Sequence, residues 1–363
     1  MIDLLYRAAK PLLFRADPES VHDRVIGTLG ILSKSTKARA ILARTQSPAD
    51  PRLAVEIAGM TLPGPVGIAA GLDKNGVAFP ALHALGWDFV EIGTITPKPQ
   101  PGNARPRIFR LGEDSALINR MGFPGTGADA IAMNIVQRRA ARVPLGCNVG
   151  PNKSSVEAGL DAVVEDCSLL IHRFASVADY LVINVSSPNT ARLRALQGKE
   201  ALRQLLSDVF AAMPAQRPKP LFVKIAPDLS DGEVRDIVDV VLDIGLSGIV
   251  ATNTTVARPS SLRSAAQSET GGLSGAPLRA RALEVIAQIA AESNGAMPIM
   301  AVGGIASGAD AIAAIKAGAS AMQIYTGLIY EGPGLARRIK RELSAEMDRV
   351  GATSLADLRS RSI

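Results

Sequence analysis

Eight short apolar runs, at 66–70, 89–95, 145–149, 180–186, 221–226, 248–253, 298–303 and 321–326, recur along the chain. Runs of this length, rich in Val, Ile and Leu, read as strands buried on both faces. Amphipathic helical patterns stand between and after them at 156–178, 199–213, 231–244, 278–292, 308–317 and 334–349. Ser230 with Glu233 has the spacing of a capping box, and Gly245 and Gly318 fall where helices should end. Neighbouring parallel strands need long crossovers, and helices supply them. Eight such units in about 290 residues predict an α/β fold, a (β/α)8 TIM barrel, ahead of an open doubly wound sheet.

A chain of 363 residues accommodates this barrel, assigned to 46–363, together with a small N-terminal helical extension at 1–45. An apolar content of 47% with 20% charged residues excludes a disordered chain. Cys147 falls in an expected strand and Cys167 in an expected helix, so both read as reduced core thiols. Three scattered histidines argue against zinc, and no metal is expected. The Pro- and Gly-rich interval 97–127 is longer than a strand-to-helix loop requires. It contains a predicted hairpin, Pro106 to Asn119, expected to lie over the top of the barrel.

The net charge of +6 is unevenly distributed: residues 1–45 hold eight basic and four acidic residues, a surplus of +4. No signal-peptide pattern precedes them, and the longest uncharged run, Val25 to Ser33, is too short to span a bilayer. Two amphipathic helices are expected. The first runs from Ile2 to about Phe14, with Leu4, Leu5, Ala8, Leu12 and Leu13 apolar. The second starts at N-cap Asp17 and Pro18, with Val21, Val25, Leu29 and Leu32 on one stripe. Such a pair either packs on the main domain or lies on an anionic membrane as a hairpin enclosing a small apolar cavity, the reading favoured here. Aromatic residues at 4% are too few for a nucleic-acid stacking platform, so no nucleic acid is expected. His22 is either structural or part of that cavity.

Chemistry in a barrel sits at the C-terminal strand ends. Here those ends read Ala69 to Gly76, Gly93 to Pro97, Asn148 to Gly150, Asn184 to Asn189, Lys224 to Pro227, Thr252 to Thr255, Gly303 to Ile305 and Tyr325 to Gly327. Lys74 and Lys224 with several asparagines point to one pocket, and two buried lysines predict an anionic ligand. Val302 to Gly308 supplies backbone N–H groups ahead of a helix, an expected phosphate cradle. Gly271 to Gly275 offers a further close backbone approach.

At these motifs the chain resembles the dihydroorotate dehydrogenases, and among them the membrane-associated, quinone-linked class 2 enzymes. The resemblance rests on Ala70-Gly71-Leu72-Asp73-Lys74-Asn75-Gly76, the run from Thr96 to Asn103, Ile118 to Phe123, Asn184-Val185-Ser186-Ser187-Pro188-Asn189-Thr190, and Ala251 to Thr255. It implies oxidation of dihydroorotate to orotate in pyrimidine synthesis, with one FMN per chain as cofactor and a quinone as acceptor. By motif, Ser187 would be the catalytic base, with Thr190 and Phe123 as neighbours. Lys74, Asn119, Arg120, Met121, Gly122, Phe123, Asn189, Asn253 and Thr254 would hold substrate. Ala70, Gly71, Leu72, Asp73, Lys74, Thr94, Asn148, Asn184, Lys224, Thr252, Gly275, Gly304, Tyr325 and Thr326 would hold FMN. His22 and Arg110 would face a quinone tunnel. The resemblance also implies a peripheral protein on the cytoplasmic face of a bacterial inner membrane, a monomer with no obligatory protein partner. Two other readings stay open: a soluble enzyme using fumarate or NAD, and a non-enzymatic flavin- or phosphate-binding barrel.

Overall fold

The computed structural model of the chain describes residues 2–46, 50–139, 142–190, 192–216 and 218–360. Three helices come first, α1 (Ile2–Arg15), α2 (Pro18–Ser33) and α3 (Thr36–Ala43). A small antiparallel pair follows, β1 (Val55–Ile57) with β2 (Met60–Leu62). The chain then alternates: β3 (Val66–Ile68), α4 (Phe79–Ala84), β4 (Phe89–Ile95), the hairpin β5 (Ile108–Leu111) and β6 (Ala116–Asn119), α5 (Ala128–Arg138), β7 (Leu145–Val149), α6 (Lys153–Ala158), α7 (Leu160–Phe174), β8 (Tyr180–Asn184) and α8 (Lys199–Ala211). It continues through β9 (Leu221–Ile225), α9 (Asp231–Ile244), β10 (Gly248–Ala251), β11 (Gly272–Gly275), α10 (Arg279–Glu292), β12 (Ile299–Val302), α11 (Gly308–Lys316), β13 (Ala321–Ile324), α12 (Thr326–Glu331), α13 (Leu335–Val350) and α14 (Leu355–Ser360).

Eight parallel strands close a barrel in the order β3, β4, β7, β8, β9, β10, β12, β13, and β13 pairs with β3 to complete it. All eight expected strands are present. Six end one or two residues early because the last residues of each run leave the hydrogen-bond ladder and turn into the mouth. Asp17 caps α2 by accepting from the Ser20 N–H at 2.8 Å, and Ser230 with Glu233 closes both halves of its capping box on α9. Gly245 ends α9 at φ +79, a left-handed conformation that costs glycine nothing. Both cysteines are buried, and burial raises their thiols well above the usual range.

Three expectations need correction. The helix expected over 156–178 breaks at Gly159, whose φ of +119 no helix tolerates, and ends at Phe174. The N-terminal segment has a third helix, α3, started by Ser35 accepting from the Ala38 N–H at 3.2 Å. The stripe expected on α2 is its packed face only in part: Leu29 packs against the core together with Ile26, while Val25 is exposed and the fully buried positions are Glu19, Gly30 and Ser33. The close backbone approach expected at Gly271 to Gly275 is present, and it takes the form of a strand: Gly272–Gly275 forms β11, antiparallel to β6, which extends the 106–119 hairpin to three strands.

The face α1 turns to the barrel is polar. Lys10 Nζ donates to the Tyr330 carbonyl at 2.7 Å, Tyr6 donates to the Ile329 carbonyl, and Asp3 accepts from the Gly334 N–H at 2.9 Å. Leu4, Leu5 and Leu12 are left 69%, 65% and 73% exposed. An exposed apolar face of this kind marks a surface that meets another phase or partner.

Candidate active site

The barrel interior carries a buried polar layer beneath its mouth. Glu91 of β4 is fully buried within an otherwise apolar strand. Its carboxylate accepts from Asn148 Nδ2 at 2.9 Å, from the Tyr180 hydroxyl at 3.2 Å and from Gln323 Nε2. Burial and this carboxylate hold the Tyr180 hydroxyl protonated, well above its usual pKa. Lys224 of β9 is 5% exposed, and no hydrogen bond or ion pair among the described residues uses its ammonium. Burial pushes its pKa down, and Glu91 opposes that shift.

Above this layer the strand ends form a connected shell. Thr94 Oγ1 donates to Asn148 Oδ1 at 2.6 Å, and Asn184 Nδ2 donates to Thr94 Oγ1 at 2.9 Å. Asn184 Oδ1 accepts from the Ser186 hydroxyl at 2.9 Å, and Ser186 Oγ accepts from Asn253 Nδ2 at 3.0 Å. Side chains from four strands are thereby held in single orientations.

The cavity over this shell is lined by Ser187, Lys74, Asn119, Asn189, Asn253 and Thr254 on one side. Ser187 is 5% exposed, and its Oγ accepts from the Asn189 N–H at 3.2 Å. Asn189 Nδ2 donates to Asn119 Oδ1 at 3.2 Å, which ties the loop after β8 to the end of β6. Among the described residues the buried Thr254 hydroxyl has no partner, an orphaned group lining a polar cavity. Phe123, at φ +53, lines the same space from a left-handed position rarely adopted by a bulky residue. Lys74 Nζ donates to His22 Nε2 of α2 at 3.3 Å. Burial and Lys74 lower His22 to about 3, so the imidazole is neutral and accepts. Burial lowers Lys74 to about 8.

The opposite end offers backbone N–H donors. Gly303, Gly304, Tyr325 and Thr326 line it, and no hydrogen bond among the described residues uses their N–H groups. A Cβ on Gly304 (φ +70) would lie 2.6 Å from Arg279 Cβ, and one on Gly275 (φ +97) would lie 2.4 Å from the Ser115 carbonyl oxygen. The cradle expected at the N-terminus of α11 is corrected here. The Ala306 and Gly308 N–H groups are already taken by Asp310 and Glu342 carboxylates, at 3.0 and 2.7 Å. The free donors lie one step earlier, at the strand end, and at the start of α12. The residues fit a phosphate-bearing cofactor: Gly303, Gly304, Tyr325 and Thr326 would supply N–H donors to its phosphate, and Lys224 would supply a positive charge.

The profile of the dihydroorotate dehydrogenase family matches residues 52–347. The chain belongs to the dihydroorotate dehydrogenase family. It is 48% identical over 355 residues to the dihydroorotate dehydrogenase (quinone) of Rhodospirillum rubrum, covering 97% of this chain and 93% of that protein. It is likewise 48% identical to the enzyme of the same description from Acidithiobacillus ferrooxidans, with 98% of both chains covered. Among solved structures, DHODH from Eimeria tenella in complex with ferulenol aligns at a TM-score of 0.87 and 40% identity, covering 96% of this chain and 97% of that one.

Measured against this family's dehydrogenase site, the structure gathers Ser187, Lys74, Asn119, Met121, Gly122, Phe123, Asn189, Asn253 and Thr254 in one cavity with Ala70, Gly71, Thr94, Asn184, Lys224, Thr252, Gly275, Gly304, Tyr325 and Thr326. Six other expected site residues do not line it. The Asp73 carboxylate accepts from the Val77 and Ala78 N–H groups at 2.9 and 2.7 Å, and Leu72 is core. Asn148 lies one layer deeper, holding Thr94 and Glu91. Arg120 pairs with Glu269 at 2.7 Å and stacks over Phe109, away from the cavity. His22 stands behind Lys74, and Arg110 donates to the Ala16 carbonyl at 2.7 Å while lying over the Phe14 ring. Sequence reasoning missed Glu91 and Gln323. Their only cue was a polar residue inside an apolar strand.

Proposed function

We propose that this chain oxidises dihydroorotate to orotate for pyrimidine synthesis, using FMN and a membrane quinone. The observation that carries this reading is the buried Ser187 hydroxyl in one cavity with one buried lysine, Lys224, one half-buried lysine, Lys74, and a set of oriented asparagines. FMN, when bound, supplies the two-electron acceptor for the hydride that leaves substrate C6 and passes the electrons on to the quinone.

Ser187 Oγ receives the proton from C5 as its own hydroxyl proton passes into a relay toward solvent, for which the buried Thr190 hydroxyl is the neighbouring group. A serine is a poor base, and burial alone makes its alkoxide costlier still, so the N–H that Asn189 donates to Oγ and the positive charge of Lys74 in the same cavity are what favour the deprotonated oxygen. Lys74 pairs with the substrate carboxylate. Asn119, Asn189, Asn253 and the unpartnered Thr254 hydroxyl meet the ring amides, which present donors and acceptors alike. Met121, Gly122 and Phe123 form the cover over the ring. Lys224 places a positive charge where negative charge accumulates on the reduced cofactor, a preorganised electrostatic role. Ala70, Gly71, Thr94, Asn184, Thr252, Gly275, Gly304, Tyr325 and Thr326 hold the cofactor, with Asn148 acting through Thr94.

Residues 1–45 form the membrane and quinone segment of this reading, and 46–363 the catalytic barrel. The exposed leucines of α1 support lipid contact, and Arg110 with Phe14 and Tyr330 beneath α1 supports a quinone approach between the helices and the barrel. No helix among the described residues is long and apolar enough to cross a membrane, so attachment would be peripheral, on the cytoplasmic face, as a monomer without nucleic acid.

The test is a visible absorption spectrum of the purified protein. Flavin bands should bleach on anaerobic dihydroorotate and return on adding a soluble ubiquinone analogue. Protein that stays colourless and inactive after FMN is added overturns the reading. Reoxidation by fumarate or NAD in preference to the quinone would overturn the acceptor alone.

A further inference from the structure

A second cleft lies at the corner where α2 passes into α3, against the C-terminal end of α5. It is lined by Ser33, Lys34, Thr36, Arg39, Gln137 and Arg138. Three of these six are cationic and none is acidic. Arg138 is 8% exposed, with Nε on the Val77 carbonyl at 3.1 Å and Nη1 on Asn134 at 3.0 Å. Among the described residues its Nη2 makes no hydrogen bond. Asp73, whose carboxylate interacts electrostatically with Arg138, is fully buried and already accepts two backbone N–H groups. Arg39 donates to the Ser33 carbonyl and to Thr36 Oγ1 at 3.2 Å, which sets its guanidinium along the cleft without neutralising it. Among the described residues, Lys34 and Arg39 have no carboxylate within ion-pair distance.

Like charges converging on one cleft repel unless an anion joins them. Guanidinium groups fixed by backbone carbonyls present their remaining N–H groups to a tetrahedral oxyanion, the geometry in which arginine binds phosphate. The same helices carry exposed apolar side chains close by in sequence: Ile31 and Ile41 at 73% and 63% exposed, and Met133 and Val136 on α5. A soluble phosphate needs no such surround, whereas an amphiphile does.

We propose that this cleft binds the phosphate headgroup of an anionic lipid, with Lys34, Arg39 and Arg138 as its ligands and Ile31 and Ile41 entering the acyl boundary. The inference rests on the peripheral-membrane reading of residues 1–45 and gives it a specific headgroup site that reaches into the barrel domain through Arg138.

The experiment is flotation of the full-length holoenzyme with phosphatidylcholine vesicles, with and without phosphatidylglycerol. The variant Lys34→Ala/Arg39→Gln is compared with Lys37→Ala/Arg44→Ala, which removes the same charge from the same region outside the cleft. The cleft variant should lose roughly thirtyfold in affinity for phosphatidylglycerol vesicles, and the control within about threefold. Turnover of dihydroorotate with a soluble quinone analogue should stay unchanged in both, which shows that both are folded. Lys34→Glu, at an exposed position, should repeat the loss. Equal losses in the two double variants would overturn the site in favour of diffuse charge. Protection of Arg138 environments by inorganic phosphate alone, read as a thermal shift abolished in the cleft variant, would overturn the lipid assignment. Wild-type binding to phosphatidylcholine that ignores phosphatidylglycerol would overturn the cleft and leave membrane attachment through α1 standing. No binding to any vesicle would remove both.

Discussion

Two side chains carry most of the chemistry proposed for the site, and each makes a distinct prediction. Ser187→Ala keeps the shape of the cavity and removes the proton acceptor. Flavin colour and dihydroorotate binding should survive, while the rate of flavin reduction in stopped flow falls by roughly 10²–10⁴-fold. Reduction at the wild-type rate near neutral pH would remove Ser187 from its role. Lys74 makes the pH prediction. It is lowered to about 8 by burial, so its charge is present below that pH and is lost above it. The KM for dihydroorotate should be flat below pH 8 and then rise, by roughly tenfold per pH unit at the limit, as the carboxylate loses its partner. His22 does not contribute an inflection near neutrality, because burial and Lys74 keep it neutral down to about pH 3. Lys74→Met should give a high KM with no such inflection. Ser187 and Lys74 were both legible because they stand in long motifs at strand ends. Glu91 and Gln323 were not, because nothing in a one-dimensional pattern says that two polar residues more than two hundred positions apart share the inside of one cylinder.

At the scale of elements, the attachment of α2 rests on a buried ion pair. Glu19 accepts from Arg107 at 2.8 Å, both side chains under a tenth exposed, and from Arg105 at 3.0 Å. Removing one partner leaves an uncompensated buried charge, which costs about 3–5 kcal/mol. Glu19→Ala should therefore lower the denaturant midpoint strongly, and Glu19→Ala/Arg107→Met should recover part of the loss. A midpoint unchanged in Glu19→Ala would mean that α2 is held by other contacts. The helix itself was readable from Asp17, Pro18 and its length. Its docked face was readable only in part, because the apolar stripe of Val21, Val25, Leu29 and Leu32 competes with a polar and small-residue face, Glu19, Gly30 and Ser33, whose partner Arg107 lies on a distant loop. The same holds for β11: Gly272 to Gly275 has no strand-forming composition, and its strand exists because β6 offers it an edge.

For the whole molecule, the barrel closes through strand pairing that does not involve residues 1–45. A chain starting after Thr45 should remain cooperatively folded by circular dichroism and keep its flavin, and it should lose vesicle flotation. It should also uncover Lys74, since α2 supplies His22 against it. The inflection in KM should then move up from about pH 8 toward the ordinary lysine value near 10.4. An unchanged inflection would mean that α2 does not desolvate this lysine. By itself the sequence determined the eight-unit barrel, the strand ends that form its mouth and the family, because buried strands, helix caps and long motifs are local signals repeated in register. The tertiary structure alone decided that Asn148 and Asp73 support the cavity rather than line it, that Arg120 turns to Glu269, and that α1 docks by its polar face and leaves its leucines outside. Those outcomes depend on which distant donors and acceptors must be satisfied once the chain is closed on itself, and no local pattern encodes that accounting.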